Sequence, residues 1–574
     1  MTDRSLGHNR IWFLYSVVIF IAVVLIGQLY LLQVVRGGEY RDKAEKKYQS
    51  IIDQFERNTI YFTEKDGNLV SAATTRTGFF VELNPEQISN APAAYAKLKD
   101  IIPLERDAFL AQATKKSDKS EIIAHRLSEK TAEKIQDLKI TGVGVFRENW
   151  RYYPSETLGS HVLGFMGYEQ DGKTLSGRYG LERYYDSVLN KSNGKPQRNF
   201  FAEAFSSVKT AVDPTEKIKG DIALTIEPTV QSELEKQLDY IKTKYQSGEV
   251  GGIIIDPKTG AIYAMGTVPR FDPNDVSKEK NVSVFNDPLV ENTYEIGSVV
   301  KPLVMAAGID TGKVNAKTTY NDNLGYIVLD KKKISNYDGK GRGQNIPMQE
   351  VLNQSLNTGM VFVMQQMGRQ NLAKYLNAYA LGETTKIDLP GEVPGNLENL
   401  KSTRMVESAT ASFGQGISLT PIGVARALCA LGNGGTLVEP HILKSTMYPA
   451  GITKEYPIEE GPRVLKQQTS EEITRMLVTV VDKALLNGTV KMPNYSIAAK
   501  TGTAQISQGG GAGYYDDRYL HSFFGYFPAY DPKFLVFLYV VNPRGEAYAS
   551  HTLTAPFMEL TKFLLTYYEV PPDR

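Results

Sequence analysis

The sequence predicts a multidomain α+β protein with one N-terminal transmembrane helix, a β-rich pedestal, and a larger domain in which helices flank an antiparallel sheet. Three observations lead there. At 574 residues the chain exceeds what one core usually fills, about 100–200 residues per domain. Residues 11–35 form an almost unbroken apolar run. Strand-like apolar patterns stand near both ends of the C-terminal region with helical patterns between them, as expected of a sheet assembled from both ends of one domain. The expected segments are a cytoplasmic tail (1–10), an anchor (11–35), a pedestal (36–215) and the main domain (216–574).

The anchor reads IWFLYSVVIFIAVVLIGQLYLLQVV, interrupted only by Ser16, Gln28, Gln33 and the small Gly27. At 1.5 Å per residue it can cross a hydrocarbon core of about 30 Å. It is longer than the signal-peptide core of about 7–15 residues and ends in bulky side chains with no A-x-A-like site, so it is expected to remain uncleaved. Arg4 and Arg10 precede it, while Arg36, Arg41, Lys43, Lys46 and Lys47 follow, against a simple positive-inside count. Long domains translocate largely regardless of such charges, and a short leader before a long region is the arrangement of a signal anchor. The expected location is the cell membrane, single-pass, with the main domain outside the cytoplasm.

Composition narrows the function classes. The 65 Lys+Arg nearly cancel the 64 Asp+Glu, which removes the basic excess of nucleic-acid binders. The single cysteine, Cys429, sits in the apolar run RALCALG and reads as a buried packing residue. Six scattered histidines without HxxxH or CxxC spacing supply no recognisable zinc ligand set, and no metal or cofactor is expected.

After the anchor, residues 39–49 are charged and helix-prone. The segment FERNTIYFTEKDGNLVSAATTRTGFFVELNP then alternates apolar and polar residues about an Asp66-Gly67 turn, a hairpin signature. Residues 85–140 carry helical spacing, and 146–195 are rich in Tyr, Gly and turn formers. The polar stretch 191–214 marks the boundary. Beyond it come a strand (IALTI), a helix over 228–245, the strands GGIIID and AIYAMGTV around a PKTG turn, the late strands SFFGYF and KFLVFLYVV, and a final helix over 555–568.

Chemistry is concentrated in three short motifs. In EIGSVVKPLVMAAGI, Ser298 and Lys301 are three apart at the mouth of an apolar helix, so both lie on one face. A lysine there can take the serine proton only if burial or nearby positive charge lowers its pKa. The same spacing recurs at Ser192/Lys195, Ser206/Lys209 and Ser277/Lys280, in polar turn-like sequence that reads as solvated surface. In NQSLNTGM, Ser355 and Asn357 can aim a hydroxyl and an amide into one cleft. In AAKTGTAQ, Lys500, Thr501, Gly502 and Thr503 enter a strand on which the threonines share one side, and Gly502 permits close approach of another backbone. Hydroxyls and an ammonium on an edge strand suit a peptide ending in a carboxylate. The earlier Lys258-Thr259-Gly260 reads as a structural turn.

SxxK, SxN and KTG in that order resemble the site of penicillin-binding proteins and serine β-lactamases. The chain is identified as similar to a class B penicillin-binding protein through LLQVVRGGEYRDKA, RYYPSETLGSHVLGFMG, GRYGLERYYDSVL, LTIEPTVQSELE, DPKTGAIYAMGTVPRFDPN, TYEIGSVVKP, SFGQGISLTPIGVARALCALGNGG and HSFFGYFPAYDPK. It departs from the family pattern at Ile296, where proline is common, and at Phe62-Thr63, where Asp-Arg is usual. TYEIGSVVKP and IDLPGE (387–392) resemble the septal, cell-division type more than the elongation type.

The resemblance implies a peptidoglycan D,D-transpeptidase. Ser298 would be the nucleophile toward the stem pentapeptide's D-Ala-D-Ala, Lys301 the base, and Ser355 and Lys500 the proton path to the leaving D-Ala. Asn357 would orient Lys301 and the substrate amide, the N–H groups of Ser298 and Thr503 would form the oxyanion hole, and Thr501, Gly502 and Thr503 would bind substrate, the two threonines at its carboxylate. β-Lactams would acylate the same serine. A chain without a glycosyltransferase domain implies a membrane glycan polymerase and other wall-synthesis or divisome proteins as partners. The same motifs also admit a D,D-carboxypeptidase or β-lactamase-like hydrolase, or a non-catalytic β-lactam sensor or scaffold.

Overall fold

The computed structural model describes residues 56–574 apart from 116–118, 172–173, 192–218 and 510–512. The apolar run 11–35, the charged run 39–49 and most of the polar stretch 191–214 lie outside the described residues, as do two of the alternative SxxK pairs. Among the described residues no helix is long and apolar enough to cross a membrane. The described chain forms two compact units, residues 77–150 and residues 56–76 with 151–574.

The hairpin at Asp66-Gly67 forms as expected between β1 (Ile60–Thr63) and β2 (Leu69–Leu83), with Phe62 opposite Val70. In the smaller unit, residues 79–83 of β2 pair with β3 (Glu121–Leu127), and β4 (Val143–Tyr152) closes the segment. Helices Ala91–Leu98, Arg106–Ala113 and Glu129–Asp137 pack over Val81, Leu83, Leu98, Phe109 and Ile135. The reading of 85–140 as helical therefore holds for three segments and fails at β3. In that strand, EIIAHRL, pairing with β2 outweighs the weak local helical spacing.

In the larger unit, β5 (Asp221–Leu224) pairs in parallel with β1, so a strand before residue 65 and one after residue 220 share a sheet. Helix α1 (Pro228–Tyr245) starts at a Glu227 cap with proline in its first turn and matches the sequence reading. Next come β6 (Glu249–Ile255) and β7 (Ile262–Val268), then helices α2 (Lys301–Asp310), α3 (Asn357–Met367) and α4 (Pro421–Gly432). Strands β8 (Leu443–Tyr448) and β9 (Ile452–Glu455) extend the first sheet beside β5. After helix α5 (Gln467–Thr479), strands β10 (Ala498–Ser507), β11 (Tyr514–Phe527) and β12 (Phe534–Val541) precede the terminal helix α6 (Thr554–Tyr567).

Two of the motifs lie on the helical layer, while the Lys500–Thr503 motif lies on the antiparallel sheet β10-β11-β12-β6-β7, built from both ends of the domain as the sequence predicts. Its strand period of two is readable in the core. Phe523, Phe527, Val536, Leu538 and Val540 pack with Leu234, Leu238, Phe557 and Leu564 of α1 and α6. Their neighbours Phe524, Tyr526, Leu535, Phe537 and Tyr539 pack with Leu303, Val424 and Leu428 of α2 and α4. Helices cover both faces, which explains why FLVFLYVV is apolar throughout and does not alternate. Cys429 is buried in α4, where burial pushes its thiol well above the ordinary range. Strand β10 lies at the edge of this sheet, leaving one side free to meet the helical layer.

Candidate active site

Ser298 lies in a short turn of 3-10 helix, Gly297–Val300, that runs directly into α2. Two glycines let this turn press against the edge strand. Gly297 has φ +70, and a side chain there would begin 3.0 Å from the Thr503 carbonyl oxygen. A side chain on Gly502 would begin 2.8 Å from the Ile296 carbonyl oxygen and 3.0 Å from the Val299 nitrogen. The backbone on either side of Ser298 is thus in contact with the Gly502–Thr503 peptide. Ser522 on β11, opposite Gly502, donates to the Ile296 carbonyl at 2.8 Å, and the Gly297 N–H donates to the Gly414 carbonyl at 3.2 Å.

One turn further on, Lys301 is fully buried. Its Nζ is 2.6 Å from the Ser355 carbonyl oxygen, 2.8 Å from Asn357 Oδ1 and 3.3 Å from Ser355 Oγ. No carboxylate among the described residues pairs with it. Burial, reinforced by the charge of nearby Lys500, pushes its pKa well below the usual lysine range. A neutral amine has two N–H donors and one lone pair. The carbonyl and amide oxygens can only accept, so they take both donors, and the lone pair remains for a hydroxyl proton.

Ser355 sits in a tight turn before α3 with φ +56, an uncommon conformation for a residue with a side chain. The turn delivers its carbonyl and its hydroxyl to the same lysine. Asn357 is held from the other end, its Nδ2 donating to the Ser335 carbonyl at 2.9 Å. Behind it, Thr358 Oγ1 donates to Asp322 at 2.9 Å, and Asn336 Nδ2 donates to the other oxygen of Asp322 at 2.9 Å. These three buried groups lock the strand end Ser335–Asn336 against the start of α3.

Lys500 is nearly as buried, and burial lowers its pKa to about 8. Its ammonium reaches the Thr501 carbonyl at 3.1 Å. Thr501 and Thr503 share one side of β10, and Thr503 Oγ1 accepts from the Ala549 N–H at 3.2 Å, leaving its own O–H free to donate. The structure therefore gathers all three motifs around Lys301 and the free edge of β10. The remaining SxxK pair in the described chain, Ser277 and Lys280, is exposed, and Ser277 Oγ donates to Asp275. Lys258-Thr259-Gly260 forms the turn between β6 and β7, as expected.

A family model described as the penicillin binding protein transpeptidase domain matches residues 250–562, more than half of the chain, and one described as the penicillin-binding protein dimerisation domain matches 56–221. This chain belongs to the class B penicillin-binding proteins. Stage V sporulation protein D of Bacillus subtilis is 32% identical to it over 556 residues, 95% of this chain and 83% of that protein. The probable peptidoglycan D,D-transpeptidase PbpC of Pseudomonas aeruginosa is 27% identical over 515 residues, 89% of this chain and 87% of that one. Among solved structures, penicillin binding protein 2X from Streptococcus thermophilus shares the fold with a TM-score of 0.72 at 22% identity, over 90% of this chain and 81% of that chain.

In this penicillin-binding protein, sequence reasoning missed the groups that hold the motifs. Asp322 and Asn336 stand 36 and 22 residues from Thr358, with no local pattern to join them. Gly414 lies in the quoted SFGQG segment, but nothing local says that its carbonyl receives the Gly297 N–H. Glu295, three residues before Ser298, accepts from the Tyr514 hydroxyl at 2.9 Å, and partial burial raises its pKa. Tyr514 could be read as a strand residue but not as its partner.

Proposed function

We propose that this chain is a peptidoglycan D,D-transpeptidase acting through an acyl-enzyme on Ser298, and that β-lactams acylate the same residue. The observation that carries the reading is Lys301, a fully buried amine with two obligate acceptors, no carboxylate partner among the described residues, and a place one turn from Ser298.

Ser298 Oγ attacks the carbonyl of the penultimate D-Ala while its proton passes to Lys301 Nζ. The bond from that carbonyl carbon to the nitrogen of the terminal D-Ala breaks, and the departing nitrogen gains a proton through Ser355 Oγ, assisted by Lys500. Asn357 orients Lys301 and the substrate amide. The N–H groups of Ser298 and Thr503 hold the oxyanion, a contribution of about 2.7–4 kcal/mol per donor in comparable sites. Thr501 and Thr503 bind the terminal carboxylate, and Gly502 keeps the strand close to the nucleophile. The amine of a second stem peptide then attacks the ester, releasing the Ser298 hydroxyl and completing the cross-link.

The reading extends to the rest of the chain. Residues 11–35 are a single-pass membrane anchor after a cytoplasmic tail (1–10), 36–215 are a pedestal, and 216–574 are the catalytic domain outside the cytoplasm. A membrane glycan polymerase and other divisome or wall-synthesis proteins are its partners, and the septal type fits TYEIGSVVKP and IDLPGE better than the elongation type.

The test is the intact mass of the detergent-purified full chain after incubation with benzylpenicillin, beside Ser298→Ala. A single stable adduct on the parent and none on a variant of equal melting temperature supports the reading. No adduct on the folded parent overturns it.

A further inference from the structure

Thr503 lies on the edge strand β10, yet the direction of its hydroxyl is set by groups outside the three motifs. It pairs directly opposite His521 of β11, so the two side chains stand on the same face of the sheet. Both reach the short helix Ala549–Thr552. The first residue of that helix donates its N–H to Thr503 Oγ1 at 3.2 Å, and the last, Thr552, has its Oγ1 2.9 Å from His521 Nδ1. Thr552 Oγ1 also donates to the Ala549 carbonyl at 3.3 Å. Two neighbouring strands thus grip the two ends of one helical turn. A third tether, the Tyr245 hydroxyl donating to the His551 carbonyl at 3.0 Å, keeps the turn docked from another side.

A threonine hydroxyl has one hydrogen and two lone pairs, and it rotates to suit its partners. With the Ala549 N–H on a lone pair, the Thr503 hydrogen is directed away from the helix and is left for the free edge of β10, where the proposed mechanism puts the substrate carboxylate. His521 is fully buried, and burial holds its pKa to about 4 although the Ala547 carbonyl and the Glu546 carboxylate favour the charged ring, so the ring is neutral near pH 7. Its Nε2 has no hydrogen-bond partner among the described residues. An apolar side chain of similar size would not carry that cost, so packing alone does not account for a histidine here. We infer that His521 is a positioning residue for the substrate carboxylate: acting through Thr552 and Ala549, it fixes the direction of the Thr503 hydroxyl. This rests on the acyl-enzyme reading above. The Thr503 N–H belongs to the strand backbone and does not depend on that hydroxyl, so binding is affected and the acylation step is not.

Rates of adduct formation on the full chain in detergent, followed by intact mass over a range of benzylpenicillin concentrations, separate the dissociation constant of the initial complex from the acylation step. His521→Leu is expected to raise that constant about tenfold, the size of one misdirected hydrogen bond to a carboxylate, and to leave the saturating rate within about twofold. His521→Asn can place an amide atom where Nδ1 stood and is expected to stay within about twofold of the parent in both. Thr552→Val, which keeps the histidine and breaks the link, is expected to match His521→Leu. In a Thr503→Val background the leucine substitution is expected to add less than about twofold, because the hydroxyl it would misdirect is gone. Equal losses in the leucine and asparagine variants, a fall in the saturating rate as large as the loss of affinity, or an undiminished loss in the Thr503→Val background would make His521 a packing residue and overturn the inference. Absence of any adduct on the folded parent would instead overturn the acyl-enzyme reading.

Discussion

Two buried charge clusters in the larger unit are built on opposite rules. Beneath the first sheet, Glu182 receives Arg57 Nε and Arg151 Nε, each at 2.6 Å, and Arg57 also reaches Asp186 at 2.9 Å. Two guanidinium groups face two carboxylates, and the arginines hold Glu182 below the usual carboxylate range despite its burial. At the active site, Lys301 and Lys500 are buried as deeply but face each other and neutral oxygens, and both pKa values fall. Charges that hold the fold are neutralised by partners. The two lysines have no carboxylate partner among the described residues, so that in the proposed mechanism one amine can lose its proton.

The widest break in this contrast comes from Lys301→Ala. Acylation by benzylpenicillin should fall by about 10²–10⁴-fold, the range for losing a general base, with a melting temperature equal to or above that of the parent. Adduct formation against time beside a thermal melt checks both halves. Glu182→Ala should do the reverse, costing about 3–5 kcal/mol of stability because two buried guanidinium groups lose their partner. Its folded fraction should still acylate at the parent rate, which denaturant unfolding and mass spectrometry on the same sample would show.

A pH series sharpens the contrast next. In the proposed mechanism Lys500 keeps its proton to assist the leaving group, so acylation should fall about tenfold per unit as pH rises above about 8. Its folded pKa lies below the ordinary lysine value of 10.5, so between about 8 and 10.5 the unfolded chain binds more protons than the folded one. Its contribution to stability therefore increases over the same interval in which activity is lost. The Glu182 cluster runs the other way in pH. Its folded pKa is lowered, so its support is complete above the ordinary carboxylate range and disappears as pH falls through the folded value. Acylation rates and melting temperatures from pH 3 to 10 would expose either failure. The smallest expected effect is Thr358→Val, which removes a hydrogen bond to the Asp322 carboxylate. It should cost about 1.5–3 kcal/mol of stability and slow acylation a few-fold by loosening Asn357.

Much of the site was legible because its groups come in short motifs whose spacing has local meaning. Ser298 and Lys301 share a helix face, and Thr501 and Thr503 share a strand side, whatever surrounds them. The central sheet was readable in FLVFLYVV and SFFGYF because a strand covered on both faces must be apolar throughout. The strand Glu121–Leu127 was not, since only its pairing with β2 makes it a strand. The Asp322–Asn336–Thr358 brace, the Gly414 carbonyl and the His521–Thr552 contact were also invisible, because each joins residues that no local period relates.

By itself, the sequence determined the strands and helices that build the central sheet from both ends of the domain, the three motifs and the apolar run at the N-terminus, all of which depend on residue type and near-neighbour spacing. The tertiary structure alone decided how closely Ser298 and Lys301 meet the SxN and KTG motifs, and how far Lys301 is buried. Burial and the approach of Lys500 are sums over atoms distant in sequence, and a lysine becomes a base only when those sums make its charged form the costlier one.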